Sequence, residues 1–359
     1  AAMTEEKLFA DIDFGTARGP KKVIISPTDW CNLKCLTCWR LDKKENPNSY
    51  RDEELTFDEI SGILHDCKKL RVKEIDLTGG GEPFSREDML DIITLAKELG
   101  FWVTLTNNGT LLSEEKMRTL IFFGLDDITF SFDGSTAELN DSIRGRGVYQ
   151  KVAESLSHLQ ELKRELGSDI PFIRLAFVIT SGNYHDIPAI VRFAAEHGIG
   201  AIQFSTLLEW DSNREFSMKN CDEQDALNAL KQGAQLAEEL GIYTNLSSSM
   251  KHGFFEHQLP KFCFAPWELL FINSRGQVLA CCILASFYEN VLGNVRDTPL
   301  EDLWNSEKMR EFRKRLVVGK FYKGCERCLP DFVDRFDGLE ERRQCYISQM
   351  AGMGSEAWR

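Results

Sequence analysis

Three cysteines in the early part of the chain have the spacing of a metal site. Cys31, Cys35 and Cys38 lie in the segment DWCNLKCLTCWR, in a CX3CX2C arrangement. A structural zinc site takes four protein ligands, and no histidine or fourth cysteine lies nearby before His65 and Cys67. Three thiolates suit a 4Fe–4S cluster better, because they bind three irons and leave the fourth open for another ligand. We therefore predict an iron–sulfur cluster here, with zinc as the alternative.

The elements that must position these cysteines alternate between strand and helix. Short apolar runs predict six strands, at residues 23–26, 74–78, 102–106, 128–132, 173–180 and 202–206. We expect helices from residue 56, where Thr56 and Glu59 form a capping box, and at residues 85–100, 113–124, 148–167 and 186–198. This order and the nearly apolar strands predict an α/β fold, with a parallel sheet covered by helices on at least one face.

Six strand–helix units fall short of the eight in a closed barrel. The three cysteines follow the first strand, at the edge where α/β sheets build their active sites. We therefore place the cluster at the carboxyl edge of a partial barrel.

The later part of the chain has a different pattern. After about Leu208 a polar, aperiodic stretch precedes an amphipathic helix at residues 226–240. The run ELLFINSRGQVLACC predicts a hairpin with its turn at residues 273–276, followed by one helix with an apolar face made of Leu300, Leu303, Trp304, Met309, Phe312 and Leu316. We divide the chain into a partial barrel at residues 1–210, a linker with the amphipathic helix at 211–262, a small cysteine-rich domain at 263–345 and a tail at 346–359.

Composition excludes several classes of protein. The 359 residues include 43 lysines and arginines against 56 aspartates and glutamates, and the net charge of -13 repels nucleic acids and anionic membrane surfaces. No apolar stretch is long enough to cross a bilayer, and the first residues are acidic where a signal peptide would be basic. We therefore expect a cytoplasmic protein without a membrane or nucleic-acid partner. Its eleven clustered cysteines indicate metal or redox chemistry rather than disulfides.

Four motifs together resemble the radical S-adenosylmethionine (SAM) superfamily. They are CNLKCLTC, LTGGGEPF at residues 77–84, TNNGTLL at 106–112 and SFDG at 131–134. The resemblance implies a partial (βα)6 barrel in which SAM binds the open iron of a 4Fe–4S cluster. Reductive cleavage of SAM then gives a 5'-deoxyadenosyl radical, which abstracts a hydrogen atom from the substrate. One departure is Thr37, because the family usually has an aromatic residue just before the third cysteine, whereas here Trp39 comes just after it.

The same resemblance implies which residues contact SAM. They are Gly79, Gly80, Gly81, Glu82, Asn108, Ser131, Asp133 and Arg144. The glycine-rich motif matches the one that receives the methionine amino group of SAM. Asn108 after the third strand, and Ser131 and Asp133 at the end of the fourth, lie where the family contacts the ribose. Arg144 lies where many members of the family bind the carboxylate of SAM. Each also has a simpler interpretation: tight turns for the glycines and Asn108, solvent-facing strand ends for Ser131 and Asp133, and a surface ion pair for Arg144.

The cysteines of the later region resemble the C-terminal extension called SPASM or, in its shorter form, twitch. The ligands that this implies are Cys263, Cys281, Cys325 and Cys328. Four thiolates complete an auxiliary 4Fe–4S cluster with no iron open to substrate, which favours an electron-transfer role; a zinc ribbon is the alternative. The longer SPASM pattern continues after Cys328 as CX5C and CX3C and so needs two further cysteines, but Asp334 and Gly338 stand at the matching positions, and the one-cluster twitch form fits better.

Four cysteines remain outside these two sets. Cys67 lies on an amphipathic helix, where we expect a small core residue. Cys282 and Cys221 are candidate catalytic residues, because a thiol can donate a hydrogen atom to a substrate radical in an epimerase. Cys345 is a candidate substitute ligand or a remnant of the longer pattern, and the sequence does not decide its role.

The resemblance implies an oxidoreductase in which the auxiliary cluster accepts an electron from the substrate radical. We expect oxidation of a sugar, a cyclitol or another small-molecule or carrier-bound substrate, and an external electron donor such as flavodoxin or ferredoxin. Only 30 residues precede Cys31, too few for the leader-binding domain of many peptide-modifying relatives, which favours the small molecule. The alternatives are a redox-neutral epimerase or dehydratase, a peptide or protein maturase, and a metal-binding module without turnover.

Overall fold

A computed structural model describes residues 18–42, 52–247, 263, 265–282, 291–317, 320–322 and 325, and within them ten strands form one sheet. The strands are β1 (Lys22–Ile25), β2 (Glu74–Leu77), β3 (Trp102–Asn107), β4 (Asp127–Ser131), β5 (Phe172–Ile179), β6 (Ala201–Thr206), β7 (Tyr243–Thr244), β8 (Leu269–Ile272), β9 (Gln277–Leu279) and β10 (Val291–Asn294).

The helices with both ends described lie between these strands and after them. They are α1 (Phe57–Lys69), α2 (Met89–Glu98), α3 (Glu114–Phe122), α4 (Ala137–Arg144), α5 (Val148–Leu166), α6 (Ile187–Glu196), α7 (Glu223–Leu240), α8 (Ala265–Glu268), α9 (Leu300–Trp304) and α10 (Glu307–Val317). Short 3-10 helices span Trp39–Asp42, Pro83–Ser85, Tyr184–Asp186, Asp211–Phe216 and Met218–Asn220. In the described part of the chain, none of the helices has the length and apolar character that a membrane crossing requires.

Strands β1 to β7 lie side by side in chain order, and every neighbouring pair is parallel. The six predicted strands are confirmed within one residue at each end, and so is the capping box of α1, in which Thr56 and Glu59 bond each other's backbone. The sequence did not predict β7 or α4, because two residues and two helical turns are too short to carry a clear hydrophobic pattern. Cys67 is fully buried on α1, as predicted.

The two faces of the parallel sheet differ in polarity, which the prediction of nearly apolar strands missed. One face packs into the hydrophobic core with the helices. The opposite, inner face carries Lys22, which contacts Glu74 at 2.7 Å and Asp76 at 2.6 Å, and Arg174, which contacts Asp127 at 2.6 Å. Side chains alternate between the two faces along a strand, so a single charged residue that points inward is enough to make this part of the inner face polar.

The C-terminal strands continue the same sheet beyond β1. β8 pairs with β1 in parallel, and β9 and β10 follow antiparallel. The predicted hairpin turn is confirmed, and Gly276 adopts a φ of 78° there, a left-handed conformation that glycine takes easily. The predicted single helix is instead α9 and α10, broken at residues 305–306, although all six of its apolar residues are buried. The division into domains at residues 210 and 263 stays a prediction.

Arg313 holds the C-terminal helices together from inside the core. Its side chain is fully buried, and its Nε and Nη2 donate to the carbonyls of Pro266 and Trp304, each at 2.9 Å. The guanidinium also lies 4.4 Å from the ring of Trp304. One arginine of α10 therefore satisfies carbonyls of α8 and α9 that would otherwise be buried without a donor.

We expect Arg313→Met to lower the free energy of unfolding by about 3 kcal/mol, because two buried carbonyls lose a charged donor. Urea unfolding of the purified protein measures this change. Arg310→Met, on the exposed face of the same helix, is the matched control and should cost about 1 kcal/mol or less. If the two variants lose the same free energy of unfolding, the buried hydrogen bonds of Arg313 contribute no more to stability than those of an exposed arginine.

Candidate active site

The residues predicted to bind the cluster and SAM lie at one edge of the sheet. The three cysteines follow β1, the glycine-rich motif follows β2, Asn108 follows β3, and Ser131 and Asp133 lie at the end of β4. Because β1 to β4 are parallel neighbours, their carboxyl ends meet at this edge. The contacts agree, since Asn108 Nδ2 lies 3.9 Å from Cys31 Sγ, and Cys35 Sγ lies 3.9 Å from the carbonyl oxygen of Arg144.

The thiols of the cysteine loop lie within electrostatic reach of one another. Burial raises the pKa of Cys31 and raises the pKa of Cys35 to about 11. The neighbouring thiolates contribute to both increases, whereas Arg144 opposes that of Cys35. A bound cation would reverse this balance, because it compensates the clustered negative charges that now oppose ionisation.

The three thiols of the cysteine loop are half-buried and form no disulfide in the described structure. A 4Fe–4S cluster takes each thiolate on a different iron, so three cysteines on one loop fit such a cluster and leave one iron open.

The glycine-rich motif is shaped by the close approach of two loops. A Cβ on Gly79, Gly80 or Gly81 would overlap Ser26, Asp29 or Trp30 of the loop after β1. Backbone amides use this proximity: Gly80 donates to Ser26 Oγ at 2.8 Å and Gly81 to the carbonyl of Thr28 at 2.7 Å. The simpler interpretation of a tight turn that needs glycine is compatible with this packing, but the requirement comes from the close approach of the loops, since the left-handed glycines of the described chain lie elsewhere.

Glu82 joins the second loop to the third. Its side chain is buried, and its carboxylate accepts from the backbone amides of Asn108 at 2.7 Å and Phe84 at 3.2 Å. Burial raises the pKa of Glu82 to about 7, although these two amides oppose the shift. The carboxyl group is thus held in one position and ionises near neutrality, where an approaching ammonium group would take it to the charged form.

Asn108 is bound to the cysteine loop. Its Nδ2 donates to Asn32 Oδ1 at 2.8 Å, and its Oδ1 accepts from the backbone amide of Thr110 at 2.9 Å. Asn32 in turn donates to the hydroxyl of Thr110 at 2.8 Å. Sequence analysis missed Asn32 and Thr110. Two features of the sequence could have identified them: a side-chain amide inside the cysteine motif and a hydroxyl two residues after Asn108.

Asp133 and Arg144 form a buried ion pair. Asp133 is fully buried, and its Oδ1 accepts from the amide of Val178 at 2.8 Å. Its Oδ2 lies 2.8 Å from Arg144 Nη2. Burial raises the pKa of Asp133, and Arg144 lowers it. The interpretations of Asp133 as a solvent-facing strand end and Arg144 as a surface residue are therefore wrong, whereas Ser131 is half-exposed on the inner face.

Two buried donors of α4 lack a partner in the described structure. They are Arg144 Nε and Asn140 Nδ2, four residues apart and so on one face of the helix. Asn140 is fully buried and was missed by sequence analysis; its Oδ1 accepts from the amide of Asp133 at 3.0 Å. Buried donors without acceptors are rare. Arg144 lies next to Cys35, so its unsatisfied Nε suits a ligand that carries a carboxylate. The residues thus fit SAM as well as the cluster.

The first part of the predicted linker lies against the cysteine loop. Residues 208–220, which we call the strap, follow β6 and contain two 3-10 helices. Fully buried Asn213 donates to the carbonyls of Leu208 at 3.1 Å and Thr37 at 3.3 Å, and accepts from the amide of Trp210 at 2.8 Å. The strap therefore touches the loop at Thr37, the position where the sequence departs from the family pattern.

The second set of cysteines lies at the opposite edge of the sheet. Cys263 precedes α8 and β8, and Cys281 follows β9, which runs antiparallel to β8. Both positions therefore fall at the amino edge of β8, away from the cysteine loop. Cys325 lies beyond α10 and its amide donates to the carbonyl of Tyr322 at 2.8 Å. Cys328 and Cys345 lie outside the described residues.

The two candidate hydrogen donors are both half-buried. Cys282 follows Cys281 and so lies with the second set. Cys221 Sγ lies 2.9 Å from the carbonyl of Met218, at the end of the strap, and burial raises its pKa. The structure places neither thiol in contact with the cysteine loop in the contacts it describes.

Two family models match the chain. Residues 25–194 match the radical SAM superfamily and residues 263–329 match the iron–sulfur cluster-binding SPASM domain. A tungsten-containing aldehyde ferredoxin oxidoreductase cofactor-modifying protein of Pyrococcus furiosus is 26% identical over 86% of this chain and 87% of its own. An AdoMet-dependent heme synthase of Methanosarcina barkeri is 24% identical over 91% and 96%. A PqqA peptide cyclase of Gluconobacter oxydans is 26% identical over 86% and 83%.

Solved structures share the fold. Streptococcus suis SuiB bound to the precursor peptide SuiA superposes with a TM-score of 0.65 at 20% identity, over 82% of this chain and 66% of that one. Native anSMEcpe with bound AdoMet gives a TM-score of 0.62 at 17% identity, over 92% and 99%.

The raised pKa of Glu82 predicts a specific pH dependence. The folded protein holds this proton up to about pH 7, whereas the unfolded chain releases it near the ordinary value of 4.5. Between these values the folded state binds more protons, so the stability that Glu82 contributes falls as the pH rises. Between pH 4.5 and pH 7, the contribution of Glu82 to the free energy of unfolding falls by about 3 kcal/mol.

Glu82→Gln removes the ionisation, so we expect the urea midpoint of the metal-free protein to fall less steeply from pH 4.5 to 7 than in the wild type. Glu87→Gln, at an exposed position of the same segment, is the control and should keep the wild-type slope. If the urea midpoints of Glu82→Gln and the wild type change with pH at the same slope, folding does not raise the pKa of Glu82 and the prediction is wrong.

Proposed function

The chain belongs to the radical SAM superfamily and carries a C-terminal SPASM domain, and from this premise we propose that it modifies a peptide by a reaction that begins with hydrogen abstraction. A bound 4Fe–4S cluster and SAM together supply the 5'-deoxyadenosyl radical for that step. The chain's own residues bind these groups, hold the substrate and exclude water. The family assignment also implies auxiliary iron–sulfur chemistry in the SPASM domain.

In this proposal each loop of the carboxyl edge has one task. Cys31, Cys35 and Cys38 hold the cluster, and the buried carboxylate of Glu82 receives the amino group of SAM. A carboxylate that ionises near pH 7 gives up its proton as the ammonium group binds, which strengthens the contact. The guanidinium of Arg144, whose Nε has no partner in the described structure, donates to the SAM carboxylate.

The remaining predicted contacts act on the ribose and on the shape of the site. Ser131 is half-exposed on the inner face, where its hydroxyl can bond a ribose hydroxyl. Asn108 supports the cysteine loop through Asn32, and Asp133 holds the guanidinium of Arg144 in place. We therefore assign Asp133 a positioning role, in place of the ribose contact that the sequence suggested.

The substrate class is the point on which the expectation changes. PqqA peptide cyclases of four species align with 85% or more of this chain and 79% or more of their own length. This supports the peptide-maturase alternative more than the oxidation of a sugar or cyclitol, which we no longer favour. The alignment with these cyclases is the observation that carries the peptide assignment. The length of chain before Cys31 has no weight against it.

The inner face of the sheet is compatible with a peptide. Near the carboxyl ends of the strands it presents half-exposed side chains that are small or carry hydroxyls, namely Thr106, Thr129, Ser131, Ala176 and Ser205. Small side chains leave space over the sheet, and hydroxyls can donate to or accept from peptide groups. The ion pairs of Lys22 and Arg174 lie on the same face near the amino ends of the strands, where they fill the space over the sheet.

The SPASM region completes the proposal. Cys263, Cys281, Cys325 and Cys328 would hold an auxiliary cluster, whose chemistry is the transfer of electrons. An external one-electron carrier such as ferredoxin or flavodoxin supplies the reducing electron. Because heme synthases also align over nearly their full length, a tetrapyrrole is the second candidate substrate.

The test follows the abstracted hydrogen. The protein is incubated anaerobically with SAM, dithionite and an extract of deuterium-labelled cells, separated into a peptide fraction and a small-molecule fraction. We expect deuterium in 5'-deoxyadenosine with the peptide fraction, and its loss after protease treatment of that fraction. A variant with Cys31, Cys35 and Cys38 replaced by alanine should form no 5'-deoxyadenosine and serves as the control.

The other results discriminate among the candidates. Transfer only from the small-molecule fraction would overturn the peptide assignment, and transfer from an added labelled porphyrin would favour the tetrapyrrole. Formation of 5'-deoxyadenosine at the wild-type rate by the triple alanine variant would show that these cysteines do not hold the cluster.

A further inference from the structure

The strap is anchored independently of the cysteine loop. The amide and hydroxyl of Ser181, after β5, donate to the carbonyls of Phe216 at 3.0 Å and Glu215 at 3.2 Å. Inside the strap, the carboxylate of Glu209 accepts from Ser217 Oγ at 2.5 Å and from Lys219 Nζ at 3.0 Å. The strap is thus a folded unit fixed to the fifth and sixth strands.

The cysteine loop is anchored on its other side by the second and third strands and by α4. The amide of Glu82 donates to the carbonyl of Trp30 at 2.8 Å, and the amide of Leu36 donates to the carbonyl of Ile143 at 2.9 Å. Asn32 bonds Asn108 and Thr110. These contacts fix the loop around Cys31 and Cys35, and they all come before Thr37 in the chain.

Asn213 is the side chain that joins the two units. It is fully buried, both hydrogens of its Nδ2 are used by the carbonyls of Leu208 and Thr37, and its Oδ1 accepts from Trp210. The bond to Thr37 reaches the main chain directly before Cys38. Since a main-chain carbonyl is the acceptor, the contact fixes the backbone of the loop whatever the side chain at position 37.

We propose that Asn213 is a positioning residue for the third cysteine of the SAM-binding cluster. It fixes the backbone next to Cys38 from the side of β6, while the other anchors fix the first two cysteines from the side of β2 and α4. The cysteine loop is then held at both ends by different parts of the sheet. Thr37 stands where the family usually has an aromatic residue, and its carbonyl accepts from Asn213 of the strap at 3.3 Å. The inference rests on the assignment of the cluster to Cys31, Cys35 and Cys38.

The test compares two asparagines of the strap. Asn220 Nδ2 donates to the carbonyls of Arg214 and Glu215, within the strap itself, and makes no described contact with the cysteine loop. Asn220→Ala therefore removes two hydrogen bonds from a side chain to carbonyls of the strap, at an exposed position and without the link to Thr37. Asn213→Asp keeps the acceptor for Trp210 but loses the Nδ2 donor, and it decides the question if Asn213→Ala does not fold.

Two measurements apply to each variant. In the metal-free protein, amide hydrogen exchange of residues 31–42 should be roughly tenfold faster in both Asn213 variants than in the wild type, because loss of one buried hydrogen bond costs about 1.4 kcal/mol. In the reconstituted, reduced protein, the change that SAM causes in the EPR spectrum should be diminished in both Asn213 variants. Asn220→Ala should match the wild type in both measurements.

Each outcome has a defined meaning. Faster exchange with a wild-type EPR response would overturn the proposal, because Asn213 would then be merely structural, and so would equal effects of Asn213→Ala and Asn220→Ala. Unchanged exchange and an unchanged EPR response in the Asn213 variants would overturn it as well. A wild-type protein without any SAM-dependent signal would instead overturn the proposed function, which separates the two failures.

Discussion

The close approach of the loops after β1 and β2 determines the geometry of the candidate site. Three consecutive glycines have no room for a side chain, because atoms of the first loop occupy the positions where Cβ would lie. That contact buries the next residue, Glu82, whose carboxylate then reaches the amide of Asn108 after β3. The same loop carries the three cysteines. A steric requirement in three residues therefore fixes the relative position of the thiols, the carboxylate and the third loop.

Sequence patterns predicted the parts of the fold that depend on local hydrophobic order. Apolar runs predicted the six strands within one residue, and the cap at Thr56 predicted the start of α1. Other helix starts were less accurate, since α2 begins at Met89 rather than at 85 and α7 at Glu223 rather than at 226. The patterns did not predict that β8 pairs with β1, because the residues that pair are more than 240 positions apart in the chain. They also missed the polar inner face, since a strand such as β5 has one charged residue, Arg174, in an otherwise apolar run.

The candidate site shows the same limit at the level of side chains. Motif spacing led to the cysteines, Glu82, Asn108 and Arg144, because each follows a strand or lies in a motif of fixed order. It missed Asn32, which bonds side chains of the third loop, and Asn140 and Asn213, which bond backbone groups of other segments. Asparagine is common in turns, so nothing in the local sequence separates these three from ordinary turn residues. Burial separates two of them, since Asn140 and Asn213 have no exposed surface.

The pairing of β8 with β1 also determines how the two sets of cysteines relate. Because the two strands are parallel, the loop with Cys31 leaves the carboxyl edge, whereas Cys263 and Cys281 lie at the amino edge. β1 has four residues, so the edges are about 13 Å apart along the strand. A group held by the second set would therefore lie at the other edge of the sheet from an atom that reacts beside the first. Electrons can pass between such edges while substrate contacts cannot, so the placement favours an electron-transfer role for the SPASM cysteines over direct binding of the substrate.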